Sequence, residues 1–226
     1  MTRAVLFDLD GTLADTADDL AAAVNRLLQE ERRPEKPAAE LRRQASRGAQ
    51  AMVRAGFGNS IADDEFERLV SRFLVIYAAH LHDRTRLFPA VAQTLQTLRA
   101  GGVRWGVVTN KNRHLAEPLL RYLGILDTAD CLVYGDTTSQ KKPSPEPLLF
   151  AARELGLATR DCVYVGDDLR DIEAARAAKM PVLAAAWGYR PAEEDITQWD
   201  ADGVLNSVGE LIPWLDTRTG HVGRAN

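Results

Sequence analysis

Several things are scarce in this sequence, and each scarcity excludes something. Only two cysteines, Cys131 and Cys162, occur in 226 residues, too few for the disulfide framework of a small secreted domain. Each lies in a short apolar stretch and is expected to be a reduced, buried core residue. No apolar run reaches the roughly 18–20 residues that cross a bilayer. The N-terminal stretch meets Asp8 and Asp10 almost at once, where a secretory signal would continue apolar. A cytoplasmic chain without membrane contact is expected. An excess of one charge is also missing: 28 basic and 32 acidic side chains leave a net charge of −4. The two signs interleave, so no basic footprint for sequence-independent nucleic-acid binding exists. There is no internal repeat or low-complexity tract. No G-x-G-x-x-G follows the first apolar run, which argues against dinucleotide binding. His80 and His82 stand two apart on an expected helix, where their side chains diverge and do not share a metal.

What is present is ordinary globular material, 46% hydrophobic and 27% charged, enough for one large domain or for a domain with a smaller insertion. Short apolar, β-branched runs begin at Ala4, Val103, Cys131, Cys162 and Pro181. Several are apolar at nearly every position, as strands covered on both faces are. Between them lie helical patterns. One is opened by Pro89 and closed by Gly101-Gly102; another is opened by Pro145, carries Leu148, Leu149, Ala152 and Leu155 on one face, and ends at Gly156. This alternation predicts a Rossmann-like α/β fold with a parallel sheet. One interval interrupts it. From Asp15 to about Thr85 the pattern is helical throughout, with Leu20, Val24, Leu27 and Leu28 on the first face and Phe66, Leu69, Val70, Phe73, Tyr77 and Leu81 on the last. The expected organisation is a catalytic core of residues 1–14 plus 86–226, with an all-helical cap domain, 15–85, inserted after the first strand.

Ligands of parallel sheets gather at the carboxyl ends of the strands. In chain order those ends read Asp8-Leu9-Asp10-Gly11-Thr12, then Thr109-Asn110, then a loop with Lys141-Lys142-Pro143, then Gly166-Asp167-Asp168 with Asp171 a turn later. Asp8 and Asp167 would form a hard oxygen site suited to Mg²⁺. A carboxylate beside such a cation can attack phosphorus and become an aspartyl-phosphate. Asp10 would protonate the leaving alcohol and later deprotonate the attacking water. Gly11 permits a tight turn under the phosphate, and Thr109, the Asn110 N–H and the Lys142 ammonium would neutralise phosphoryl oxygens.

With these residues the chain resembles the haloacid dehalogenase-like hydrolases. Phe7-Asp8-Leu9-Asp10-Gly11-Thr12-Leu13 looks like the first signature; Thr109, Lys142-Pro143 and Gly166-Asp167 with Asp171 are similar to the next three, in the same order. The resemblance implies Asp8 as nucleophile, Asp10 as acid/base, and Mg²⁺ held by Asp8, the Asp10 backbone carbonyl and Asp167. It also implies a helical cap. Thr109-Asn110-Lys111, Lys142-Pro143-Ser144-Pro145 and Trp187-Gly188-Tyr189 resemble the phosphoglycolate phosphatase-like branch. Gly48-Ala49-Gln50-Ala51-Met52-Val53 and Ala116-Glu117-Pro118 resemble the N-acetylmuramic acid 6-phosphate phosphatases of peptidoglycan recycling.

The expected partner is therefore a small phosphorylated metabolite, and the chain a monomer or weak homodimer. A sugar phosphomutase with the same intermediate is the nearest enzymatic alternative. A phospho-accepting receiver module is the alternative from signalling, opposed by the Asp10 acid/base, the cap and the length. In the cap, Ser46, Arg47 and Gly48 sit at a helix break, where the Arg47 guanidinium would grip a substrate carboxylate or hydroxyl. Asp171 is expected behind the metal ligands, Asp168 as a contact to a metal-bound water, and His114 at a helix start near the mouth of the site.

Overall fold

Strands covered on both faces form the centre of the molecule. The structure, a computed structural model, describes residues 1–190 and 194–218. Its elements run β1 (Ala4–Phe7), β2 (Ala14–Asp15), α1 (Ala17–Glu30), α2 (Ala38–Arg42), α3 (Ala49–Phe57), α4 (Asp63–Ala78), β3 (Arg86–Leu87), α5 (Val91–Ala100), β4 (Arg104–Val108), α6 (Arg113–Tyr122), β5 (Cys131–Val133), α7 (Glu146–Glu154), β6 (Cys162–Gly166), α8 (Leu169–Ala177), β7 (Val182–Ala185), β8 (Gly203–Leu205) and α9 (Leu211–Arg218). Six strands form one parallel sheet in the order β5-β4-β1-β6-β7-β8. Side chains alternate across it. Val5 and Phe7 of β1 enter the layer that holds α5, α6 and α9, whereas Ala4 and Leu6 enter the layer that holds α7 and α8. Both layers are apolar, which is why these strands read as continuous hydrophobic runs.

The five expected strands are all present, and the sixth, β8, is an addition. It is a three-residue edge strand beginning with Gly203, too short and too weakly apolar for pattern to reveal. On α7, Leu148, Ala151 and Ala152 are buried, but Leu149, expected on the same face, is 44% exposed. The last cap helix ends at Ala78, before Leu81, so His80 and His82 follow the helix rather than ride on it. His80 Nδ1 lies 2.9 Å from Asp83 Oδ2, and the His82 ring stacks on Tyr122 at 4.2 Å between centroids.

Helices α1 to α4 lie between the paired strands β2 and β3, where Ala14 faces Leu87 and Asp15 faces Arg86. They have an apolar core of their own, built from Leu20, Val24 and Leu27 of α1, Met52 and Val53 of α3, and Leu69, Phe73 and Tyr77 of α4. Two residues from outside join it, Leu115 of α6 and Tyr189. The helical unit thus rests on the sheet unit at the carboxyl end of β4. One polar cluster ties its two connections to each other, and a second ties the first connection to the sheet unit. The buried Asp19 carboxylate accepts from the Arg84 N–H at 3.0 Å, the Thr85 N–H at 2.9 Å and the Thr85 hydroxyl at 2.8 Å. The Tyr189 hydroxyl accepts from the Thr16 and Ala17 N–H groups at 2.6 and 3.2 Å and donates to Asp15 Oδ1 at 2.7 Å.

Candidate active site

Beyond Phe7 the chain leaves the sheet through Asp8 and turns sharply. The Leu13 and Ala14 N–H groups return to the Leu9 carbonyl at 3.1 and 2.9 Å. Gly11 takes a φ of +89°, and a Cβ there would stand 2.2 Å from Asp167 Oδ2. Both the left-handed backbone and the contact demand glycine. The turn sets Asp8 and Asp10 side by side, both buried. From the neighbouring strand end, Asp167 is fixed at both oxygens. Oδ1 accepts from the Thr12 hydroxyl at 2.9 Å; Oδ2 accepts from the Ser46 hydroxyl at 2.6 Å and the Tyr189 N–H at 3.0 Å.

Lys142 lies beneath, with a side chain only 2% exposed. Its Nζ is 2.7 Å from Asp171 Oδ1, 2.7 Å from the Tyr164 hydroxyl and 2.9 Å from Asp8 Oδ1. The last contact is an ion pair without hydrogen-bond alignment, so Asp8 Oδ1 is a buried oxygen lacking a directed donor. Burial favours neutral Lys142, but the Asp171 and Asp8 charges outweigh it and raise its pKa. The Asn110 side chain holds the Lys142 backbone on both sides of the residue, its amide donating to the Lys142 carbonyl and its Oδ1 accepting from the Lys142 N–H, each at 3.0 Å. Thr109, also buried, accepts the Lys111 N–H on its hydroxyl at 3.2 Å.

The carboxylates suit a divalent cation. One oxygen each of Asp8, Asp167 and Asp171 lies within 4.8 Å of the others, all buried. Three carboxylates against the one Lys142 ammonium leave two uncompensated negative charges. Burial, opposed by Lys142 and reinforced by Asp171, pushes Asp8 up to about 6. Burial, followed by the Asp8 and Asp171 charges, drives Asp167 well above the carboxylate range. Such groups are costly to ionise together without a cation. An all-oxygen donor set with an under-bonded Asp8 oxygen fits Mg²⁺.

The expected residues Asp8, Asp10, Ser46, Arg47, Gly48, Thr109 and Asn110 line one cavity of about 410 Å³, as does His114 in the first turn of α6. Asp167, Lys142 and Gly11 lie under it. Two of the expected residues have partners within the protein. Arg47, which lines the cavity, pairs with Glu194. Both Asp168 oxygens already have protein donors: Oδ1 accepts from the Arg170 N–H at 3.0 Å and Nε at 2.7 Å, and Oδ2 from Nη2 at 3.1 Å. Asp168 and Asp171 form a capping box at the start of α8. Arg170, so pinned, donates to the Ser46 carbonyl at 2.7 Å.

One residue of the site had no role expected from the sequence. Lys111, 8% exposed, places Nζ 2.7 and 2.9 Å from the two Asp10 oxygens and 3.1 Å from the Tyr77 hydroxyl. The Thr16 hydroxyl donates to the same carboxylate at 2.6 Å. The signal for Lys111 was its place in the Thr109-Asn110-Lys111 motif. Tyr77 shows no signal beyond a helical apolar stripe.

Comparison with known proteins agrees with the geometry. The sequence profile of the haloacid dehalogenase-like hydrolases matches residues 5–185. A phosphoglycolate phosphatase of Xanthomonas campestris pv. campestris is 46% identical over 209 residues, covering 92% of this chain and 94% of the relative. An N-acetylmuramic acid 6-phosphate phosphatase of Pseudomonas aeruginosa is 39% identical over 214 residues, covering 95% of each. The crystal structure of a protein described as a predicted phosphoglycolate phosphatase from Haemophilus somnus 129PT superposes with a TM-score of 0.86 at 27% identity, covering 95% of this chain and 98% of that one.

Proposed function

The chain belongs to the haloacid dehalogenase-like hydrolases, and on that premise we propose that it is a Mg²⁺-dependent phosphatase of small phosphomonoesters, working through an aspartyl-phosphate on Asp8. The observation that carries this reading is the meeting of Asp8, Asp10, Asp167 and Lys142 at adjacent strand ends, below a cavity roofed by the helical unit. Phosphoglycolate and N-acetylmuramic acid 6-phosphate, named for the relatives, are the first substrates to try. The helical unit, residues 15–85, is proposed to select among them.

Asp8 attacks phosphorus with a carboxylate oxygen while the bond from phosphorus to the ester oxygen breaks. Asp10 gives its proton to the departing alkoxide. As a carboxylate it then takes a proton from the water that attacks the phosphoryl group, which leaves as inorganic phosphate and restores Asp8. Mg²⁺, held by Asp8, the Asp10 carbonyl and Asp167, would offset the charge between nucleophile and phosphoryl oxygen. The Thr109 hydroxyl and Asn110 N–H bind phosphoryl oxygens. Lys142 donates hydrogen bonds to Asp171 and Tyr164 and meets Asp8 only as an ion pair. Its poorly aligned Asp8 contact is the one it can share with the phosphoryl group. A cytoplasmic setting suits the two cysteines, both buried free thiols.

A screen of small phosphate esters with Mg²⁺, read as released phosphate, tests this. Steady release from at least one ester is expected. Isomerised sugar phosphate without phosphate release, or a stable phosphoprotein without turnover, would overturn it.

A further inference from the structure

Several cations line the cavity above Asp8, and most are engaged away from it. Arg47 is paired with Glu194, Arg170 with Asp168, and Lys141 Nζ donates to Asn112 Oδ1 at 2.9 Å. Lys111 differs, because two of its three ammonium protons go to one carboxylate, Asp10, and the third to Tyr77. Releasing one Asp10 oxygen, the one that carries the proton for the leaving group, keeps a Lys111 hydrogen bond to the other and turns a buried N–H donor into the cavity. The Tyr77 hydroxyl accepts from Lys111, and its own proton reaches no acceptor among the described residues. Burial pushes Tyr77 up to about 12, so this hydroxyl stays a donor at neutral pH. Leu20, Phe73 and Leu74 complete that wall of the cavity, limiting water around the two donors and strengthening what they hold.

Position decides what they would hold. In the proposed reaction Asp10 faces the leaving oxygen, so Lys111, one hydrogen bond beyond Asp10, faces whatever that oxygen carries. Two hydrogen bonds end to end put Nζ no more than roughly 5–6 Å from the leaving oxygen. A carboxylate one carbon removed has its oxygens about 3 Å from the ester oxygen by ordinary bond lengths, within reach of Nζ. A carboxylate across a sugar ring is not.

We propose that Lys111 Nζ and the Tyr77 hydroxyl form a subsite for an oxyanion carried next to the ester oxygen, which makes small phosphorylated hydroxy acids the preferred substrates. The inference rests on the phosphatase reading, with Asp10 facing the leaving group.

The test compares kcat/KM for phosphoglycolate and for ethyl phosphate, which has a methyl group in place of the carboxylate. Their ratio does not depend on the fraction of a variant that folds. The wild-type chain should favour phosphoglycolate. Lys111→Met should lower the ratio about 10–100-fold, the range of a charge-assisted hydrogen bond. Lys111→Arg should restore part of it, and Tyr77→Phe should lower it about 3–10-fold. If Lys111→Met slows both substrates equally, the lysine only positions Asp10 and the subsite is overturned. Equal use of both esters by the wild-type chain, or a preference for N-acetylmuramic acid 6-phosphate that Lys111→Met leaves intact, overturns the subsite alone. No phosphate release from any ester overturns the phosphatase reading and the subsite with it.

Discussion

At Asp8 two demands compete. The proposed nucleophile must be ionised to attack, yet burial holds its pKa up at about 6 despite the neighbouring Lys142 ammonium. Asp8→Asn removes the nucleophile and one of the charges crowded with Asp167 and Asp171. The variant should fold normally by circular dichroism and lose at least about 10³-fold in kcat; activity within tenfold of wild type would remove Asp8 from the mechanism. Asp10→Asn leaves attack possible but supplies no proton and no base. Phosphoprotein should then be detectable by mass spectrometry after exposure to substrate, and a wild-type steady-state rate would exclude the acid/base role. Gly11→Ala acts on the same carboxylates through the backbone, forcing a Cβ into Asp167 at a positive φ. Weaker Mg²⁺ binding by calorimetry is the expected result, and unchanged affinity would show that the turn can relax.

Among the elements, the two connections of the helical unit matter most, because any motion of that unit passes through them. Asp19 at the start of α1 fastens the return strand by accepting three hydrogen bonds from Arg84 and Thr85. Asp19→Ala strands buried donors, costing about 1–3 kcal/mol. A chain of this size should lose about 3–10 °C in Tm. Scanning fluorimetry checks this, and a shift below about 1 °C would mean that water replaces the carboxylate without penalty. The start of α8 is held differently. Its capping box and Arg170 bind Asp168 and Asp171, and Arg170 reaches over to the Ser46 carbonyl. The Ser46 hydroxyl meanwhile donates to Asp167. The loop around Ser46 therefore touches the proposed metal site by two routes, which sequence alone could not connect across 121 residues.

For the whole molecule, the uncompensated carboxylates tie stability to pH and to the cation. Asp8 has a higher pKa folded, about 6, than its ordinary 3.8. The folded state therefore binds more protons across that interval, and without a divalent cation stability should be full below about 4 and fall as pH rises through about 6. Asp167, raised further by burial, extends the loss upward. A bound divalent cation replaces those protons. Mg²⁺ should then raise Tm by several degrees at pH 7.5, in line with the few kcal/mol that saturating ligand supplies, and by less at pH 5. A larger gain at pH 5 would contradict the assignment of these carboxylates to the cation.

The sheet, the helical insertion and the acidic rim follow from the order of residues alone, because each rests on local regularities. Strands buried on both faces must be apolar at every position, as Val5, Leu6 and Phe7 are. A tight turn beside a carboxylate requires glycine at position 11, and the strand ends of a parallel sheet fall on one edge. The edge strand β8 escaped because a short, partly covered strand has no such regularity. Which charges meet depends on how the chain folds. Lys111 and Asp10 are 101 residues apart, Lys111 and Tyr77 34 apart. Arg47 of the cap pairs with Glu194, 147 residues away. A charged side chain on a loop is free in sequence to serve any partner. The seating of Leu115 of α6 in the core of the helical unit encloses Lys111 and Asp10 and limits that choice, since burial penalises every charge left without its opposite.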